Sequence, residues 1–265
     1  MRERLYLVHG MQRSGNHAII NWMIAQRKMV FFNNIYPIKH VLERRIEIRE
    51  NREYRSWYEA ELHRKYGGII GAIKRPFKRR YPTLVSLEDH RLDLQPFSHP
   101  PAERWNVLIL RDPRNLFASR IHRAWKVEHP AYPREMNDQM IRVIETWKEH
   151  AREFLGDTSV LSRRVGIYFN LWFNNENYRR EVSARLELPF SDRGKEEVTA
   201  YGGGSSFDGK SFHGKSDEMK VLERYQMLSG KEKELFEKVM EDKELQELSQ
   251  RLSRYEMSFS DEFGV

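Results

Sequence analysis

The chain has 265 residues, long enough for one α/β domain with a large core. It has no cysteine, which excludes disulfides, thiolate chemistry and cysteine-ligated metal. No apolar run approaches the ~20 residues that span a bilayer, and a net charge of +7 at pH 7 suits an anionic ligand or acceptor. With a strand starting almost at once and no leader before it, the expectation is a soluble cytoplasmic protein, residues 1–265 forming a single domain without internal repeats.

The first apolar run begins at Leu5 and reads as a buried strand. Gly10 and Gly15 close a turn after it, and Ile19, Ile20, Met23 and Ile24 give the apolar face of a following helix. Strand, glycine turn and helix N-terminus make an anion site, because free backbone N–H groups and the positive end of the helix dipole converge there. The spacing matches the P-loop pattern G-x-x-x-x-G-K-[ST], with Asn16 at the lysine position and His17 at the Ser/Thr position. The hydroxyl that reaches Mg²⁺ in that pattern is therefore missing, so no metal site is expected, and the cation stands earlier, at Arg13.

Met29 to Phe32 reads as a short strand. Residues 38 to 66 read as one or two charged helices punctuated by Gly67-Gly68, and Ile69 to Ile73 as a strand. Lys74 to Arg80 packs five cations into seven residues, either a solvated loop or a receiver for a charged acceptor or phosphates. It carries no aromatic platform of the kind that binds single strands, so no nucleic-acid partner is expected. Thr83 to Leu87 is a further strand, ending in Glu88-Asp89-His90, where open α/β sheets place their sites. Side-chain alternation predicts that Glu88 and His90 share a face while Asp89 points away.

Trp105 to Leu110 is a core strand running into Arg111-Asp112-Pro113. Asp112 suits an N-cap and Pro113 a first helical position, so a helix starts at once, with Ser119 two turns into it. Arg111 and Ser119 can thus grip a phosphate from two sides. Residues 133–155 form a long amphipathic helix, and Arg164 to Tyr168 a strand followed by Phe169-Asn170-Leu171. The glycine-rich stretch at about 201–215, with Gly203, Gly204, Ser205 and Ser206, is either a mobile linker or a loop that wraps a nucleotide, with Lys210 and Lys215 as added cations. Asp217 to Leu228 and Lys231 to Arg254 read as two amphipathic helices.

Gln12-Arg13-Ser14-Gly15 together with Arg111-Asp112-Pro113 and Ser119 resembles the PAPS-dependent sulfotransferases, which are related to P-loop proteins. The resemblance implies an α/β fold, a parallel sheet flanked by helices in the three-layer architecture of a P-loop kinase. It also implies transfer of a sulfuryl group from 3′-phosphoadenosine 5′-phosphosulfate to a hydroxyl or amine, leaving adenosine 3′,5′-bisphosphate. The acceptor is then a small molecule or glycan, anionic ones included. Gln12, Arg13, Ser14, Gly15, Asn16 and His17 would cradle the transferring end, and Arg111 with Ser119 the 3′-phosphate. Tyr168, in place of the tyrosine in the family's Tyr-Glu-Asp-Leu segment, would lie near adenine, and the loop with Gly203, Gly204, Ser205 and Ser206 would cover the nucleotide. The family's base position falls on Asp89 and His90, with Glu88 adjacent; Glu88 and His90, which would share a face, come first as the base, and Asp89 and His17 stand behind them. Two other readings share these features: a P-loop small-molecule or nucleotide kinase, and a non-catalytic nucleotide- or anion-binding protein.

Overall fold

The computed structural model describes residues 4–33, 82–93, 103–129, 131–198 and 204–263. The expectations for 38–66, Ile69 to Ile73, Lys74 to Arg80 and Gly203 lie outside these residues. The described strands are β1 (Arg4–Gly10), β2 (Val30–Phe32), β3 (Thr83–Glu88), β4 (Glu103–Leu110) and β5 (Arg164–Tyr168). They form a five-stranded sheet in the order β2-β3-β1-β4-β5, every neighbouring pair parallel. Successive residues of β1 and β4 are buried whichever way they point, as a parallel sheet covered on both faces requires. On one face Leu108 packs with Leu92 and Leu161. Tyr6, Val8, Val107 and Ile109 belong to the main core cluster.

The strand order reverses at β1, with β3 on one side and β4 on the other. A crevice therefore opens beyond the carboxyl ends of the central strands. Register brings the turn residues to its mouth: Gly10 pairs with Glu88, and Leu110 with Tyr168.

Helix α1 (Asn16–Gln26) follows β1 through the glycine turn. Helix α2 (Pro113–Lys126) starts directly after β4, where the Asp112 carboxylate caps it by accepting from the Asn115 N–H at 2.9 Å. The amphipathic helix, α3 (Asp138–Leu155), begins five residues after the expected start at 133, because the Asn137 side chain caps the N–H groups of Gln139 and Met140. The short helices α4 (Phe169–Asn174) and α5 (Glu176–Arg185) follow β5.

The C-terminal reading needs two corrections. No α-helix spans 217–228; only two 3₁₀ turns form, Ser216–Glu218 and Arg224–Met227. The backbone between them is held by side chains of β4 and α2 instead: Val221 O accepts from Arg111, Leu222 O from Asn115 Nδ2 at 2.9 Å, and Asn115 Oδ1 takes the Arg224 N–H at 2.7 Å. The second expected helix is two, α6 (Gly230–Met240) and α7 (Lys243–Phe263), divided where Asp242 caps the Leu245 N–H at 2.9 Å. Among the described residues no helix is long and apolar enough to cross a membrane.

Candidate anion-binding and active site

The turn after β1 is built by its own side chains. Arg13 and Gly15 both take positive φ, 73° and 87°, which folds the chain back over the strand end. A Cβ on Gly15 would lie 2.2 Å from the Phe169 ring, and one on Gly10 would lie 2.3 Å from Asn16 Oδ1. Both motif glycines are therefore required by what packs on them. Ser14 Oγ lies 2.6 Å from Met11 O and 2.7 Å from Asn16 Oδ1. Asn16 Nδ2 donates to Met11 O at 3.0 Å and to Glu88 Oε1 at 2.9 Å.

A second brace comes from Asp89 and Arg120. Asp89 leaves the strand at φ 61°, its carboxylate accepting from the Gln12 N–H at 3.0 Å and from both terminal nitrogens of Arg120, at 2.7 and 3.1 Å. Arg120 also donates to Gln12 O at 3.2 Å. One ion pair, with Arg120 buried and Asp89 half-buried, thus ties α2, the end of β3 and the glycine turn together.

Arg111 is buried at the end of β4. It donates to Arg13 O at 2.8 Å and to Val221 O, reaches Ser119 Oγ at 3.4 Å, and lies over the Phe169 ring at 4.9 Å. Burial pushes its guanidinium pKa down to about 10; Asp112 opposes this, and the nearby Arg224 and Arg13 add to it. Burial lowers Arg13 as well. Arg224, only 2% exposed, holds the Asp208 carboxylate, approaches Ser205 Oγ at 3.4 Å and covers the Phe207 ring at 4.9 Å. Phe207 in turn stacks on His122, centroids 4.0 Å apart. Arg13 fastens the loop further by donating to Gly204 O at 3.1 Å, and Lys126 does so through Ser206 O at 3.0 Å. The 204–210 segment is therefore a pinned loop, closed by a Ser205–Gly209 bridge, rather than a loose linker.

Of the residues singled out by sequence, Arg13, Gly15, Asn16, His17, Glu88, Arg111, Ser119, Gly204, Ser205 and Ser206 line one cleft. Gln12, Ser14, His90 and Tyr168 are not in that lining. Gln12 meets Asp89 and Arg120 through its backbone, and Ser14 is turned into the loop. His90 departs because the strand ends at Glu88 and the positive φ of Asp89 breaks the alternation that would have put the two on one face. Burial lowers its imidazole pKa to about 4, partly opposed by Asp89. Tyr168, the last residue of β5, is buried behind the cleft, and its burial pushes the phenol well up. The ring that faces the glycine turn is Phe169, the first residue of α4.

Sequence reasoning missed Arg224, Lys195 and Trp172 in the same lining. Lys195 pairs with Asp217 and lies over the Phe173 ring at 5.5 Å. Nothing local marked Arg224 and Lys195, which arrive from segments far along the chain, whereas Trp172 lies one turn beyond Phe169 in α4. Three buried donors of the lining have no hydrogen-bond partner among the described residues: Arg111 Nε, Trp172 Nε1 and Ser206 Oγ. Buried donors are rarely left so, which marks the cleft as a place for a ligand rich in acceptors. Among the described residues no group of three or more His, Cys, Asp or Glu side chains is placed to hold a metal ion.

No protein-family model matches the chain, and no curated protein is similar to it in sequence. Among solved structures it is similar to the sulfotransferase domain of the Synechococcus PCC 7002 olefin synthase, with 10% identity, 96% of each chain covered and a TM-score of 0.47. It is also similar to the sulfotransferase domain of the curacin biosynthetic pathway, with 12% identity, 96% of this chain and 98% of that one covered, and a TM-score of 0.44.

Proposed function

We propose that the protein is a sulfotransferase that moves a sulfuryl group from 3′-phosphoadenosine 5′-phosphosulfate to a hydroxyl or amine. The observation that carries this reading is the convergence of Arg13, Arg111 and Arg224 on one cleft that also holds three unpartnered buried donors. Three cations gathered against their mutual repulsion, at the carboxyl ends of a parallel sheet, suit a ligand with several negative groups. A nucleotide bearing a 3′-phosphate and a 5′-phosphosulfate is such a ligand. The aromatic side of the cleft, Phe169, Trp172 and Phe173, suits its base.

The choice of sulfuryl over phosphoryl transfer rests on Asn16. At the position where a P-loop kinase has its lysine, this side chain is committed to Met11 and Glu88. A monoanionic sulfuryl group requires less neutralisation than a phosphoryl group, and Arg13 with the amides of the turn supplies it. The acceptor enters in line. Its O–H or N–H proton passes to Glu88, the new bond to sulfur forms, and the bond from sulfur to the 5′-phosphate oxygen breaks, leaving the bisphosphate. Glu88 lines the cleft with Asn16 fixing one of its oxygens, and His17 and Glu197 line it as well.

The test is calorimetry with adenosine 3′,5′-bisphosphate, followed by an assay of labelled-sulfate transfer to a panel of sugars, phenols and amines. Binding and transfer support the reading. Transfer from ATP with Mg²⁺, and none from the sulfated nucleotide, would replace it with a kinase.

A further inference from the structure

A second groove, of about 610 Å³, lies where β4 and β5 end against α6 and α7, and it shares no lining residue with the cleft described above. It receives what those strand ends turn away from the cleft. Asp112 points here while Arg111 faces the cleft, and Tyr168 and Asn170 point here while Phe169 faces the cleft. Glu256 of α7 completes the polar side.

The groove gathers two carboxylates, Asp112 and Glu256, and one cation, Arg114. Glu256 takes hydrogen bonds from the Tyr168 hydroxyl and the Asn170 amide. Asp112 takes its bonds from Asn115. Neither carboxylate has an ion-pair partner among the described residues; Arg114, also at the groove, lies over the Tyr225 ring at 5.8 Å. Asn170 is 8% exposed, and its Oδ1 has no hydrogen-bond partner among the described residues. Glu256 without a cation and the orphaned Asn170 carbonyl beside one hollow are costly unless something brings them donors and positive charge. Burial and the neighbouring Asp112 charge both push the Glu256 carboxyl upward, in keeping with a missing cation. Phe236, Met240 and Leu245 form an apolar patch on the opposite wall, beside Gln246, Ser249, Gln250 and Ser253.

We propose that this groove binds a primary ammonium group carried on a short apolar stem, the ammonium between Asp112, Glu256 and Asn170 Oδ1 and the stem against the wall of α6 and α7. Its three N–H donors match the three acceptors, and Phe236, Met240 and Leu245 receive its stem.

Phenethylamine serves as the probe, with 2-phenylethanol as its neutral counterpart. The side-chain amide signal of Asn170 is followed by NMR in the full chain. The expected result is a saturable shift with the amine, and binding of the alcohol at least tenfold weaker. Glu256→Gln, which keeps shape and hydrogen bonding, weakens the amine at least fivefold. Asp112→Asn, which keeps the N-cap, does the same and stands in should the first variant not fold. An absent or unsaturable shift overturns the proposal, as do equal affinities for amine and alcohol or unchanged binding in a folded variant. Displacement of the amine by millimolar Ca²⁺ would overturn it in favour of a metal site.

Discussion

The Asn16 amide donates to Glu88 Oε1 at 2.9 Å, joining the first residue of α1 to the last residue of β3 across the mouth of the glycine turn. The residue that stands where a P-loop lysine would reach for phosphate is thereby turned to hold a carboxylate. One oxygen of Glu88 is fixed, which leaves the carboxylate oriented at the edge of the cleft where an acceptor would enter.

If Glu88 takes the acceptor's proton, Glu88→Gln keeps the hydrogen bond from Asn16 and loses the base. Turnover should fall by roughly 10² or more, while the affinity for adenosine 3′,5′-bisphosphate stays within about threefold. His17→Ala is the comparison. A Glu88→Gln enzyme with normal turnover, beside a dead His17→Ala enzyme, would move the role to His17.

Arg13 is assigned the charge that builds on the transferring group. Arg13→Ala should lower turnover by roughly 10²-fold, the scale for losing one preorganised donor. Because Arg13 also donates to Gly204 O, the variant should in addition expose the 204–210 loop to limited proteolysis. Near-normal turnover in a folded variant would remove Arg13 from the mechanism.

Recognition of the 3′-phosphate is assigned to Arg111 and Ser119. Adenosine 3′,5′-bisphosphate should bind at least tenfold tighter than the 5′-monophosphate, about 1.4 kcal/mol. Since Arg111 also holds Arg13 O and Val221 O, Ser119→Ala is the gentler probe and should narrow the gap severalfold without lowering Tm. Equal binding of both nucleotides by the unaltered protein would refute the assignment.

Asp89 is expected to matter through stability. Asp89→Ala leaves Arg120, 3% exposed, buried without its carboxylate. Breaking a buried pair from one side costs about 3 kcal/mol, read as a lower urea midpoint, and Asp89→Ala with Arg120→Met should recover part of it. If Asp89→Ala unfolds at the midpoint of the unaltered protein, the brace is ornamental.

Acid should destabilise the fold through three histidines. Burial lowers His9 to about 3 and His90 to about 4, and lowers His150 as well, so all are neutral in the folded chain at neutral pH. The unfolded chain protonates them near pH 6.5 and so binds more protons below that point. Stability is therefore complete above about pH 7 and is lost as pH falls from about 6.5 toward 4, by at most about 1.4 kcal/mol per pH unit for each imidazole. Urea unfolding at pH 7.5, 6.0 and 5.0 measures the slope, and a flat profile would mean that the three are already charged in the fold.

The sequence by itself determined the parts whose cause is local. Apolar runs bounded by glycine or charge give buried parallel strands wherever they are covered on both faces, and β1, β3, β4 and β5 lie where those runs lie. Asp112-Pro113 starts α2 because a capping carboxylate and a preset φ act within one turn of chain. The spacing of Gly10 and Gly15 gives the turn because Gly15 takes a φ of 87°, which glycine adopts without a Cβ penalty.

Only the tertiary structure decided which side chains face the cleft. Direction at a strand end depends on one or two dihedral angles, and the positive φ of Asp89 sends His90 away from Glu88. The start of α4 right after β5 puts Phe169 at the glycine turn and leaves Tyr168 behind it. The charged stretch 217–228 has the composition of a helix, yet Arg111 and Asn115 take its carbonyls and hold it as a turn between two 3₁₀ pieces. That brings Arg224 beside Arg111, from more than a hundred residues away. Such pairings arise from packing between distant segments, and a pattern read along the chain records only the neighbours within it.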